Sequence, residues 1–201
     1  MATGEGANAV MEAVVLAAGS GARFGGGKLM APWRGGVLLE GALQAAFAAP
    51  VRSVTVVTGA DPRVASTLRA QAPSVRLVDA PDHAEGLAAS LRAAVRAVPA
   101  DAVGVLVLLG DMPHVPHAVL APLCEAVLAG APAAAPVWNG RRGNPVTLAR
   151  ELFPAVLALA GDVGARSILD RLGERLALVQ APSDGVLFDV DLPQDLARDG
   201  L

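Results

Sequence analysis

Between Leu16 and Leu29 the chain reads LAAGSGARFGGGKL, with five glycines (Gly19, Gly21, Gly25, Gly26, Gly27) inside nine residues and two cations, Arg23 and Lys28. Glycine lacks the Cβ that keeps a ligand off the backbone, so such a run can turn several N–H groups onto one anion. Arg23 and Lys28 add full charges to those dipoles. The chemistry indicated is the binding of a polyphosphate. A flexible surface loop would account for the glycines but for neither cation.

Two familiar phosphate loops do not match. A Walker A loop needs Gly, four residues, then Gly-Lys-Ser/Thr; counted back from Gly27-Lys28, Ala22 holds the first glycine position and Leu29 the hydroxyl position. The dinucleotide pattern G-x-G-x-x-G begins at Gly19 and Gly21 but meets Phe24 at its last position, and no acidic residue follows at the second strand to hold a ribose.

Asp111 is the second candidate. It stands in LLGDMP (Leu108–Pro113), directly after the apolar run Val103–Leu109. A carboxylate beside a polyphosphate is repulsive unless a cation lies between them, and Mg²⁺ binds through one or two carboxylates together with substrate phosphates. The alternative for Asp111 is a simple Asp-Met-Pro turn.

Both candidates need strands behind them. Ala13–Leu16 belongs to a buried strand expected over Glu12–Ala17, and Ser53–Thr58, Val75–Val78 and Val103–Leu109 read as further strands. Helical spacing covers Val37–Ala48, Pro62–Ala70, Leu87–Val98 and Pro116–Leu128. This alternation predicts right-handed crossovers and a three-layer α/β sandwich, Rossmann-like, with a mostly parallel sheet. The continuous apolar run Val103–Leu109 fits a parallel strand buried on both faces. Ligands of such sheets bind beyond the carboxyl ends of the strands. Lys28 and Asp111 would then share one crevice. The second half is more mixed: strands over Ala133–Val137 and Val146–Leu148 around a polar turn Asn139–Asn144, helices over Glu151–Leu159 and Ala165–Leu172, and a strand over Ala177–Val179. Residues 1–11 read as a disordered start and 12–201 as a single domain.

The bulk composition narrows the classes. The chain has 201 residues, 53% hydrophobic and 17% charged, with net charge −3. That charge argues against nucleic acid or an anionic membrane as main partner. No apolar run has membrane-spanning length, and no secretory signal is visible at the start. The single Cys124 forms no internal disulfide, which suits a reducing cytoplasm. His83, His114 and His117 lack partners at metal-ligand spacing and read as ordinary loop residues.

With these residues in view, LAAGSGARFGGGK resembles the signature loop of the molybdopterin nucleotidyltransferases, nearest to the molybdenum cofactor cytidylyltransferase branch. Further resemblances keep the family's order: EGLAASLRAAV (Glu85–Val95), LLGDMP, RRGNPV (Arg141–Val146), GDVGAR (Gly161–Arg166) and DVDLPQDL (Asp189–Leu196). The resemblance implies a fold like that of the nucleotide-diphospho-sugar transferases. It also implies transfer of CMP from CTP to the phosphate of the molybdenum-bearing pterin, with release of pyrophosphate. Carried over by position, Leu16, Ala17, Ala18, Gly19, Ser20 and Gly21 would surround the nucleotide, and Arg23 and Lys28 would meet its phosphates. Gly86 and Ser90 would hold base and ribose. Asp111 would bind Mg²⁺, and Asp191 is either a second ligand or a cap of the last short helix. Asn144 and Arg166 would lie towards the acceptor. A hydroxylase-type molybdoenzyme is the partner implied.

The Ala-Ala-Gly turn resembles the cytidylyl branch more than the guanylyl one. Ala80, His83 and Met112 depart from the residues relatives often carry. Three other readings stay open: transfer of another nucleotide or to another phosphorylated acceptor such as a sugar phosphate, a non-catalytic nucleotide-binding module that inserts the cofactor, and an NAD(P)-dependent reductase.

Overall fold

The computed structural model describes residues 9–197. Residues 1–8 of the expected disordered start lie outside the described ones, whereas Val10 and Met11 already belong to the first strand, Met11 being buried. In chain order the strands and helices are β1 (Val10–Ala17), β2 (Pro32–Trp33), β3 (Gly36–Val37), α1 (Leu39–Ala48), β4 (Val54–Thr58), α2 (Pro62–Gln71), β5 (Arg76–Asp79), α3 (Leu87–Ala97) and β6 (Ala102–Leu109). Then come α4 (Leu120–Leu128), β7 (Ala133–Trp138), β8 (Arg141–Arg142), β9 (Val146–Ala149), α5 (Phe153–Leu157), α6 (Arg166–Leu172), β10 (Leu176–Gln180) and α7 (Pro193–Ala197).

Eight strands form one sheet in the order β10-β7-β9-β6-β1-β4-β5, with β8 hydrogen-bonded to β7. The pairs β1–β4, β1–β6, β4–β5 and β10–β7 are parallel, while β9 runs antiparallel to β6 and β7. The sheet is therefore mixed but mostly parallel. Strand β1 shows why helices must cover both faces. Met11, Ala13, Val15 and Ala17 enter one core with side chains of α1, α2 and α4. Val14 and Leu16 enter the other, with α3, α5 and α6. Alternation along the strand sends successive side chains to opposite faces, and both faces are apolar here. Three layers follow.

Local departures from the sequence reading have simple causes. Val37 is not helical; it closes the β2–β3 hairpin, whose turn residues Arg34 and Gly35 both take positive φ (47° and 84°). That pairing matches the twist of a two-residue hairpin turn. The polar turn expected over Asn139–Asn144 contains β8. Strand β6 has β9 as an antiparallel neighbour, and Val103 at its start is 36% exposed, not buried. At the same end of the sheet, buried Glu12 is held by Arg52 Nε (2.6 Å) and Ser53 Oγ, so its charge is paired. Among the described residues no helix is long and apolar enough to cross a membrane.

Candidate active site

Strand β1 delivers the chain into the glycine loop. Gly21 takes φ +61°, a short turn spans Ala22–Phe24, and Gly25, Gly26 and Gly27 follow at +95°, +91° and +65°. These are left-handed conformations that side chains resist. The turn is held by Phe24 N and Gly26 N, which donate to Gly21 O at 2.9 and 3.0 Å. Among the described residues, the N–H groups of Gly19, Ser20, Gly21 and Ala22 donate to no protein oxygen. A Cβ on Gly21 would come within 2.9 Å of Lys28 Cβ, so the loop folds back and lays Lys28 against its own start.

The far side of the loop rests on α2. A side chain at Gly27 would run into the guanidinium of Arg63. Arg63 is fixed by Asp61, with Nη2–Oδ2 at 2.7 Å and Nε–Oδ1 at 3.0 Å, and Asp61 Oδ1 also accepts from Arg63 N to cap α2. The side-chain hydrogen bond from Arg63 holds the Asp61 carboxyl below the usual carboxylate range. Its contribution is therefore present above the ordinary Asp pKa and is lost as pH falls through the depressed one. We expect Asp61→Ala to cost about 1 kcal/mol at neutral pH, as an N-cap loss does. Urea unfolding at neutral pH and near pH 3 should show that penalty shrinking in acid; an equal penalty at both would contradict the ion pair.

Lys28 reaches into a group of carboxylates. Its Nζ lies 2.7 Å from Asp111 Oδ2 and 3.6 Å from Asp191 Oδ1, and its side chain is only 12% exposed. Arg23, on the open side, holds Asp191 Oδ2 at 3.1 Å. Asp189 completes the group: one oxygen from each of Asp111, Asp189 and Asp191 lies within 4.8 Å of the others. Although Asp189 is exposed as a residue, desolvation of its carboxyl, then the charges of Asp111 and Asp191, raise it above the usual carboxylate range, with Lys28 opposing. Three hard oxygen donors so close fit an oxygen-preferring divalent cation. The C-terminal segment is docked here by its backbone, since Val190 N donates to Asp111 O at 3.0 Å. Asp191 is not the local cap: Asp195 Oδ2 accepts from the backbone N–H of Asp191 and Leu192 at 3.1 and 2.8 Å.

The loop, Asp111 and Asp191 border a cleft of about 830 Å³. Of the residues singled out in the sequence, Leu16, Ala17, Ala18, Gly19, Ser20, Gly21, Arg23, Lys28, Gly86, Ser90, Asp111 and Asp191 all line it. Asn144 and Arg166 are not among its lining residues. The backbone N–H of Asn144 donates to Val186 O at 2.8 Å, which ties its loop to the segment leading into Asp189, and Arg166 opens α6 as an exposed residue. Opposite the glycine loop, Gly86 precedes α3 as its cap with φ +107°, where a Cβ would lie 2.8 Å from Gly161 O and from the Asp162 backbone. Asp162 Oδ1 and Gly161 O accept from the N–H groups of Leu87 and Ala88 at 3.3 and 3.2 Å. The 161–162 loop thus caps α3 and forms part of the wall.

Sequence reasoning passed over Asp189, His83, Glu85 and Asp162. For Asp189 a signal existed: Asp189-Val190-Asp191 sets two acids around one apolar residue, and Val190 is buried while a carboxylate oxygen of each acid lies within 4.8 Å of the other. His83 also lines the cleft, its Nδ1 3.0 Å from Ala80 O.

Residues 13–176 match the family described as the MobA-like NTP transferase domain. The chain belongs to this family. Its description is that of a nucleotidyltransferase domain. The transferase is 25% identical over 185 residues to the molybdenum cofactor cytidylyltransferase of Escherichia coli, covering 92% of this chain and 93% of that one. It is 30% identical over 193 residues to the nicotine blue oxidoreductase of Paenarthrobacter nicotinovorans, covering 92% and 94%. Among solved structures it superposes on Rv0371c of Mycobacterium tuberculosis with TM-score 0.82 and 27% identity, over 94% of this chain and 97% of that one; a complex of that protein with manganese is also known.

Proposed function

We infer that this nucleotidyltransferase moves CMP from CTP to the phosphate of a molybdenum-bearing pterin and releases pyrophosphate. The observation that carries the reading is the convergence of Lys28 with Asp111 and Asp191 at the mouth of the glycine loop. The name of the Escherichia coli relative and the Ala17-Ala18-Gly19 turn support the cytidylyl choice. Asp111 and Asp191, with Asp189, are the residues that would hold Mg²⁺. When bound, the cation supplies Lewis-acid neutralisation of phosphate oxygens.

The chain's own groups do the rest. The N–H groups of Gly19 to Ala22 and the side chains of Arg23 and Lys28 hold the triphosphate. The walls at Leu16–Ala18, Gly86 and Ser90 receive ribose and base, and Asn144 and Arg166 serve the acceptor side. An acceptor phosphate oxygen attacks the α-phosphorus in line; that P–O bond forms as the α–β P–O bond breaks, and pyrophosphate leaves with the electron pair. Lys28 and Arg23 stabilise the charge gathering on the leaving group. The acceptor phosphate is already anionic, so no strong general base is required. Positioning is the main contribution, and placement alone is worth about 7–11 kcal/mol in well-oriented reactions. The product would go to a hydroxylase-type molybdoenzyme.

A thermal-shift panel of CTP, GTP, ATP and UTP, each with and without Mg²⁺, tests this. Binding at a hundred times Kd stabilises by about 2.7 kcal/mol, roughly 5–10 °C for a domain of this size. The expected result is a Mg²⁺-dependent shift with CTP. A larger shift with another nucleotide would reassign the donor. The name of the Paenarthrobacter relative makes NADH and NADPH necessary additions; oxidation of either by the protein would overturn the transferase reading.

A further inference from the structure

The wall of the cleft opposite the glycine loop differs from the loop in chemistry. Its polar side chains are His83, Glu85, Ser90 and Asp162. The first N–H groups of α3 are already taken: Leu87 N by Asp162 Oδ1, Ala88 N by Gly161 O, and Ala89 N by Gly86 O at 3.1 Å. The start of that helix therefore has none of these donors left for an anion. Glu85 and Asp162 add negative charge, which repels phosphate. The nearest cation, Arg92, is spent within the protein, with Nη2 on Glu85 Oε2 at 2.7 Å and Nη1 on Leu159 O at 2.8 Å. The polyphosphate thus belongs to the glycine loop, and this wall faces the uncharged end of the nucleotide.

Two side chains of the wall are left with something to offer. Ser90 is only 5% exposed, and its hydroxyl has no partner among the described residues. It is nevertheless open to the cleft, because the only fully buried side-chain atom without a partner among those residues is the Ser167 hydroxyl. A nearly buried hydroxyl with no protein partner is ready for a ligand.

His83 is the second. Its ring stands beside the end of β1, since a Cβ on Gly59 would lie 2.8 Å from Ala18 Cβ and 2.9 Å from His83 Cγ. Nδ1 lies 3.0 Å from Ala80 O. A carbonyl oxygen can only accept, so the Nδ1 position carries the proton, and in the neutral ring Nε2 is then a lone-pair acceptor. The backbone has chosen the tautomer. No other hydrogen bond or ion pair engages the ring among the described residues.

We propose that His83 selects the base of the nucleotide, its Nε2 accepting a hydrogen bond from the 4-amino group of cytosine. The 4-oxo group of uracil would set one acceptor against another and leave both unmatched, which costs more than a missing contact. Ser90 does not discriminate between the two bases, because a hydroxyl both donates and accepts. The fixed tautomer makes His83 the specificity-determining residue of the pair. The inference rests on the reading of this site as one for CTP, and names the group by which CTP is told from UTP.

Calorimetry on the full chain with Mg²⁺ tests it, with CTP, UTP and the triphosphate of 2-pyrimidinone riboside, which lacks the 4-amino group. The wild type is expected to bind CTP at least about tenfold more tightly than either of the others, the scale of one hydrogen bond. His83→Phe keeps a flat ring and loses the acceptor; its ratio of CTP to UTP affinity should fall close to one through weaker CTP binding. Equal affinity of the wild type for all three would overturn the assignment without recourse to a variant. So would a preference for CTP that survives in a folded His83→Phe. Both of those results leave CTP standing as a donor. A wild type that binds none of the three overturns the CTP reading, and the role of His83 with it.

Discussion

Asp111→Asn will keep its fold and lose turnover by roughly 10³-fold or more, about 4 kcal/mol in the barrier. The fold should survive because the docking of the C-terminal segment runs through the Asp111 carbonyl, which accepts from Val190 N, and not through the carboxylate. Lys28 would still have Asp191 within reach at 3.6 Å. What disappears is one of the three acids, the one that follows β6, the strand next to β1. Steady-state CTP turnover over a Mg²⁺ titration, with thermal unfolding on the same samples, decides the matter. Near-normal Mg²⁺-dependent activity would remove Asp111 from the mechanism. Unfolding of the variant would show that its role is structural.

Lys28→Met is expected to lower kcat by about 10²–10³-fold, the scale seen when one preorganised donor to developing charge is removed. The KM for CTP should change little, because the amides of the glycine loop remain and the lost interaction is strongest in the transition state. A rise in KM with kcat unchanged would make Lys28 a binding group only. The variant has a second consequence. Three carboxylates would face one another with no buried cation among them, so added Mn²⁺ should raise its unfolding temperature more than it raises that of the wild type. Equal stabilisation of the two proteins would mean that the metal, if bound, sits elsewhere.

Much of this site was legible because its parts follow strands directly. The apolar runs at Ala13–Leu16 and Val103–Leu109 announce themselves by composition, and their parallel pairing from Met11 to Leu16 carries Lys28 and Asp111 to one end of the sheet. The glycines could be read because left-handed turns and close backbone approach have few other solutions, as Gly21 against Lys28 and Gly86 against Asp162 show. The helices α1 to α4 were close to their expected spans because each presents an apolar face at helical spacing.

Other features left no local trace. The antiparallel insertion of β9 between β6 and β7 has the same composition as a parallel strand would have, since both of its faces are covered by helices either way. The β2–β3 hairpin has only two residues in each strand, too few for any period to register. The pairing of Arg23 with Asp191 spans 168 residues, and that of Lys28 with Asp111 spans 83. Partners so far apart are chosen by the order of strands and by one backbone hydrogen bond from Val190, not by the residues around them. Residue type and short-range spacing thus specified the phosphate loop, the strands and the acid beside them. Chain folding specified which further groups meet there, namely Asp189, Asp191 and the 161–162 wall. Their contacts are long-range, and hydrophobic patterning records which face of an element is buried but not what comes to cover its ends.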